Sequence, residues 1–155
     1  MKKIFLLIPI LALLSFTSFS NKGSIKEDDV VATWLNADKD AHIRIFKAVN
    51  GKYAGKVEWL KQPNDPNGKP KKDTENPNIK LRERERLGLV IMQNFAYNTK
   101  SKQWQNGTIY DPKTGKTYDG YMYFEGENIN TLHLRGFVMG MSWLGKTNEW
   151  TRINP

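Results

Sequence analysis

The sequence predicts an all-β protein: a single antiparallel up-and-down barrel of about eight strands. Three observations lead there. Apolar and polar residues alternate with period two along most of the chain from Val30 onward. No stretch of useful length shows the 3.6-residue period of an amphipathic helix. Residues that favour tight turns separate the alternating runs at short intervals.

Taken in order, the candidate strands are Val30–Asn36, His42–Val49, Lys52–Leu60, Leu87–Tyr97, Gln103–Tyr110, Lys116–Glu125, Asn128–Val138 and Met141–Ile153. Asn50-Gly51, between the second and third, suits a type I′ hairpin, whose two central residues both need positive φ. Asp111-Pro112-Lys113-Thr114-Gly115 combines a proline-fixed φ with a glycine exit before the sixth. Glu125-Gly126-Glu127-Asn128 and Met139-Gly140 are weaker versions of the same signal. Short loops make neighbouring strands antiparallel, and closing the meander into a barrel removes both unpaired edges. The alternative is a two-sheet β-sandwich. One connection is much longer: Lys61 to Leu81 carries Pro63, Pro66, Pro70 and Pro77. It is either a lid across one mouth of the barrel or a disordered basic excursion around Lys69-Pro70-Lys71-Lys72.

The first twenty residues read as a leader. Met1-Lys2-Lys3 is positive, Ile4 to Leu14 is apolar apart from one proline, and Ser18 and Ser20 place small residues before a cleavage point at Asn21. The apolar run is shorter than the ~20 residues that span a bilayer. No cysteine stands at the cleavage point, which closes the lipoprotein route. The expected organisation is therefore a signal peptide over 1–20, a polar tail over 21–29 and one barrel domain over 30–155, exported to the periplasm or beyond the cell. No later apolar run is long enough to cross a membrane.

Composition narrows the chemistry. The 155 residues contain no cysteine, which excludes disulfides, thiol nucleophiles and thiolate metal sites, and only two histidines. No metal or cofactor is expected. Hydrophobic residues make up 39% of the chain, too many for a disordered one. The 24 Lys and Arg exceed the 16 Asp and Glu to give +8, which becomes +6 once Lys2 and Lys3 leave with the leader. Nucleic acid is not the expected partner, because glutamates interrupt the basic run and export removes it from reach. An anionic envelope surface is the more plausible contact, weakening with salt.

Short motifs carry little. Gly115-Lys116-Thr117 looks like the end of a phosphate-binding loop, but Tyr110 stands where the first glycine belongs and strands flank it, so it reads as a hairpin exit. Gly140-Met141-Ser142 lacks the glycine of a nucleophile elbow at Leu144. His42 and His133 have no partner at metal-ligand spacing. Glu58, Asp111, Asp119 and Glu125 are available for two-carboxylate chemistry only if the fold gathers them. In Leu81-Arg82-Glu83-Arg84-Glu85-Arg86-Leu87, an extended backbone would put all three arginines on one face, as an anion clamp or as a charged strand edge.

Aromatic residues say more. By alternation Tyr53, Val57 and Trp59 share a face, as do Leu89, Ile91, Phe95 and Tyr97, then Trp104 with Tyr110, and Tyr121 with Tyr123. A small barrel turns such residues inward as packing or as the wall of a pocket for one small ligand.

Several blocks together resemble a known family: Asp73-Thr74-Glu75-Asn76-Pro77; Arg82, Arg84 and Leu87-Gly88; Trp104-Gln105-Asn106-Gly107-Thr108-Ile109-Tyr110-Asp111-Pro112; Gly115-Lys116-Thr117-Tyr118; Leu134-Arg135-Gly136; and Trp150-Thr151-Arg152. Across about Val30 to Ile153 the chain resembles the exported bacterial family called domain of unknown function 2147. That resemblance implies an envelope protein with a lipocalin-like barrel, and it brings no established activity, substrate or cofactor. Lipocalins themselves carry a Gly-x-Trp on the first strand, covered by an arginine after the last. Trp34 and Arg152 hold the corresponding places, with Ala32 in place of the glycine. Their contact would close the barrel bottom by cation–π attraction, of order 0.5–2 kcal/mol.

The leading functional reading is a binding module for a small amphipathic or anionic molecule, with Trp104, Tyr110, Asp111, Tyr118, Arg84 and Arg135 as candidate contacts. Asp111 and Arg135 would alternatively pair with one another or cap turns. An envelope structural or interaction protein is the second reading. A hydrolase using Asp111 or Asp119 beside Tyr110 or Tyr118 is the third.

Overall fold

The computed structural model describes residues 24–138 and 140–153. The leader expected over 1–20 lies outside them. Eight strands form a closed barrel in chain order: β1 (Thr33–Leu35), β2 (Ala41–Lys47), β3 (Tyr53–Leu60), β4 (Val90–Asn98), β5 (Gln103–Asp111), β6 (Lys116–Tyr123), β7 (Thr131–Val138) and β8 (Met141–Ile153). Every adjacent pair is antiparallel, and β1 meets β8 with Trp34 opposite Arg152. The predicted meander and its closure are both present, in place of the sandwich. Among the described residues no helix is long and apolar enough to cross a membrane.

The hairpin at Asn50-Gly51 differs from the expected type. Only Gly51 has positive φ, the Gly51 amide bonds to the Ala48 carbonyl at 2.9 Å, and the Ala48 amide bonds to the Lys52 carbonyl at 2.7 Å. The turn therefore has three loop residues, with the glycine supplying the left-handed position that matches the strands' twist.

One end of the barrel is shut by a segment whose composition reads as a tail. Glu27–Val30 form a single 3₁₀ turn under the strands. Free carbonyls of this turn, and that of Ile25 just before it, are taken by side chains from four different strands. Trp34 Nε1 donates to the Val30 oxygen at 3.0 Å, Trp104 Nε1 to Glu27 at 2.9 Å, the Tyr97 hydroxyl to Ile25 at 3.0 Å, and the Arg152 guanidinium to Asp29. The Tyr53 hydroxyl completes the set, donating to Asp28 Oδ1 at 2.6 Å. A short 3₁₀ turn leaves most of its backbone groups unpaired, so this capture is what allows it to sit against the core. The Arg152 guanidinium also lies 4.6 Å from the centre of the Trp34 ring, the closure contact expected from the sequence.

Above this plug the large side chains fill the lower half of the barrel. Trp34, Tyr53, Phe95, Trp104, Met122 and Leu132 are fully buried. Trp104 packs edge-on against Phe124 at 5.4 Å and at a tilt against Tyr97 at 5.0 Å. The upper half, where Ala41, Val57 and Gly136 are among the lining residues, is hollow.

Local bulges set which side chains face in. In β3, His42 pairs with Trp59 but Ile43 pairs with Val57, so Glu58 is an extra residue. The slip turns Trp59 outward, 41% exposed, while Tyr53 and Val57 stay in the core. In β5, Trp104 pairs with Met122 and Gly107 with Gly120, leaving an extra residue on β5, with Asn106 at φ 59°. Trp104 and Tyr110 therefore lie on opposite faces, where simple alternation puts them together. In β4, Asn94 at φ 65° marks a third irregularity, and Met92 joins Phe95 in the core. Tyr121 and Tyr123 share a face as expected, but it is the one opposite buried Met122.

Candidate functional site

The hollow half encloses a cavity of about 840 Å³ that opens at the end away from the plug. Its volume is in the range, roughly 300–1,000 Å³, that holds a small organic ligand. Ile43, Val57, Ile91, Ile109, Leu134 and Trp150 supply an apolar floor and wall. They come from six strands, so the barrel's closure is what brings them together. Gly136 makes the space: a Cβ there would meet only Ile109 and Tyr118 carbons at 3.7 and 3.8 Å, ordinary contact distances.

Charged residues ring the mouth. Lys113, in the β5–β6 turn, reaches Asp38 and Asp40 in the β1–β2 turn, both at 2.8 Å. These bonds raise the Lys113 amine, Asp38's contribution being the larger. Burial pushes the Asp40 carboxyl up, but the bonds from Lys113 and Asn36 outweigh it and leave the group below the usual carboxylate range. Lys61, Lys71, Arg86 and Lys146 also line the cavity, and none has a carboxylate within ion-pair distance among the described residues. The rim thus presents cations without carboxylate partners above an apolar interior.

The connection from β3 to β4 forms one side of this mouth through Lys61, Gln62, Lys71 and Arg86. It is a built structure and not a disordered excursion. Asn64 bridges to Pro70 and Lys72 to Glu85, so the loop runs out and back as a small ladder. Asp73 holds it to the barrel. This fully buried carboxylate accepts from the Tyr110 hydroxyl at 2.5 Å, Asn76 Nδ2 at 2.8 Å and Arg84 Nε at 2.9 Å. Burial, then the bond to Asp73, raises the Tyr110 phenol above its ordinary value and keeps it a donor. The three alternating arginines follow a bent course where an extended strand was expected, and all three turn back into the loop. Arg82 Nε donates to the Asn76 carbonyl at 2.7 Å and Arg86 Nε to Lys72 at 2.9 Å.

The cavity wall includes Asp111 and Tyr118, and also Tyr110, whose hydroxyl is turned to the Asp73 clasp. Asp111 caps the β5–β6 turn, accepting from the Lys113 amide at 2.9 Å and the Thr114 hydroxyl at 2.8 Å, and does not pair with Arg135. Trp104, Arg84 and Arg135 are not in the lining. Trp104 belongs to the plugged half and Arg84 to the Asp73 clasp. Arg135 bonds to the Thr147 hydroxyl at 3.3 Å and the Ser142 carbonyl at 3.2 Å. The lining residues missed by sequence reasoning are the aliphatic ones and the rim lysines. Parity along Leu132, Leu134 and Gly136 points to the former, while nothing in a surface lysine marks it as part of a rim.

Comparison with known proteins agrees with this architecture. A family model described as an uncharacterized protein conserved in bacteria, DUF2147, matches residues 32–152. The chain belongs to the DUF2147 family. Its fold is also similar to a solved structure reported as "Protein HP1028 from the human pathogen Helicobacter pylori belongs to the lipocalin family", with a TM-score of 0.67 and 23% identity over 84% of this chain and 85% of that one. At that identity the likeness shows the fold, a lipocalin-like barrel compatible with ligand binding. No curated protein matches the chain.

Proposed function

We propose that this member of DUF2147 is an exported binding protein whose barrel takes up a small amphipathic molecule, its apolar part in the cavity and an acidic group at the mouth. The observation that carries the reading is the pairing of an apolar space of about 840 Å³ with Lys61, Lys71, Arg86 and Lys146 at its opening. An anionic head would give these cations the partner they lack, and the apolar tail would leave water at roughly 0.8 kcal/mol per methylene. The positively charged, then apolar, N-terminal twenty residues support export. Binding takes precedence over hydrolysis because Asp111 is engaged in its turn and Asp119, opposite Thr108 and Phe137, is outside the lining.

The test is a fluorescence titration with anilinonaphthalene sulfonate, followed by displacement with straight-chain carboxylates and their methyl esters. The carboxylates should displace the probe at least about fivefold more effectively than the esters, as one head-group charge near several lysines implies. Gly136→Leu, which projects a side chain into the open space, should abolish uptake while the barrel stays folded. Equal displacement by acid and ester, or undiminished uptake by the glycine variant, would overturn the proposal.

A further inference from the structure

The strands at the open end carry an apolar excursion that the cavity does not explain. Phe137 pairs with Gly145 and Val138 with Met141, so one step along β7 spans four along β8. Ser142, Trp143 and Leu144 are left without partners on β7. Trp143 is 76% exposed, Leu144 56% and Val138 40%. A large indole left in water is costly, and Trp143 is the most exposed tryptophan among the described residues, ahead of Trp59 at 41%. The excursion is also held in place: Arg135 bonds to the Ser142 carbonyl on one side and to the Thr147 hydroxyl on the other.

Two features say what covers it. Leu144 and Val138 line the cavity and are exposed as well, so apolar residues extend from the interior onto the rim, where Trp143 is next to Leu144 in the chain. Beside that surface stand Lys61, Lys71, Arg86 and Lys146, with no carboxylate partner among the described residues. An amphipathic indole next to a short aliphatic patch and a ring of cations without carboxylate partners matches the interface of an anionic bilayer, where the indole sits at headgroup depth and the lysines meet phosphates.

We propose that the open end is a membrane-docking face, with Trp143 and Leu144 entering the headgroup region of an anionic lipid surface and the rim cations lying on it. The cavity mouth then faces the bilayer. This does not depend on the cavity being loaded, so an empty barrel should dock as well.

The experiment is vesicle flotation of the full chain without its leader, using phosphatidylcholine alone and phosphatidylcholine mixed three to one with phosphatidylglycerol. Binding should require the anionic lipid and weaken as salt rises. Trp143→Ala should lower the partition coefficient about tenfold. Lys146→Glu and Lys61→Glu should each lower it at least about fivefold. Matched reversals at the plugged end, Lys52→Glu and Lys100→Glu, should leave it unchanged. Brominated lipid should quench the wild-type tryptophan emission, and Trp143→Phe, a mild substitution, should lose that quenching. Absence of vesicle binding, equal loss from reversals at the two ends, wild-type emission untouched by brominated lipid, or capture of a protein partner without any vesicle binding would each overturn the proposal.

Discussion

Asp73→Asn is the sharpest probe of how the mouth is built. The native carboxylate is fully buried and accepts from Tyr110, Asn76 and Arg84. An asparagine of the same shape keeps one acceptor oxygen, which the Tyr110 hydroxyl can still use. Its amide nitrogen then faces donors on Asn76 and Arg84, and two bonds to a charged acceptor are lost. At roughly 1.5–3 kcal/mol for a bond to a charged group, reduced because the Arg84 side chain is 38% exposed, the loop should lose about 2–4 kcal/mol of its hold on the barrel. The loss should be local. The amides of Lys71, Asp73 and Arg86 bond within the loop, to Pro63, Arg84 and Lys71. Their hydrogen exchange should speed up by about thirty- to several-hundred-fold, while β6–β8 amides stay protected. Unchanged exchange at those three amides would refute the clasp. A uniform increase over the whole barrel would refute its local character.

Other expectations follow from the same structure. Arg152→Lys removes the guanidinium's bonds to Ile129 and Asp29 and its stacking on Trp34, and should cost about 1–3 kcal/mol in urea unfolding. Gly115 and Gly126 both have positive φ, but only at Gly115 would a Cβ collide, 1.9 Å from the Glu75 carbonyl oxygen. Gly126→Ala should therefore cost about 1–2 kcal/mol, and Gly115→Ala about 2 kcal/mol more, read as midpoint shifts in parallel melts. The Tyr53 hydroxyl bond, with help from Lys47, holds the Asp28 carboxyl below its ordinary value. A depressed folded-state carboxyl adds stability that is present above the unfolded pKa and lost as pH falls through the folded one. Melting temperature should thus drop below about pH 4, and less steeply in Tyr53→Phe, as a thermal series down to about pH 2 would show.

The barrel was legible because its signals are local. Period-two patterning and turn residues place the strands, and the shortness of the loops forces neighbours to pair. Trp34 with Arg152 was legible too, as two ends of a chain that must meet when the sheet closes. What could not be read were the slips in register. Trp59 and Val57 share a parity, yet one extra residue at Glu58 sends the indole outside, and the extra residue in β5 separates Trp104 from Tyr110 in the same way. A bulge leaves only a faint mark in composition, here an asparagine such as Asn106 or Asn94 that tolerates positive φ. The plug was hidden for a different reason. Glu27, Asp28 and Asp29 look like a solvated tail, because the barrel takes Glu27 and Asp29 by their backbone carbonyls, and the Tyr53 partner of the Asp28 carboxylate lies far along the chain. The Asp73 clasp likewise joins residues far apart in sequence through a loop whose prolines suggested looseness.

The central claim is that the upper barrel is hollow in order to hold an acidic amphiphile. The most direct test is organic extraction of the protein purified from a bacterial envelope, with mass spectrometry of wild type beside Gly136→Leu. The account predicts a molecule with an apolar tail and an acidic head, stoichiometric with wild type and missing from the variant. A wild-type barrel that yields nothing, or the same molecule in equal amount from both proteins, would contradict it.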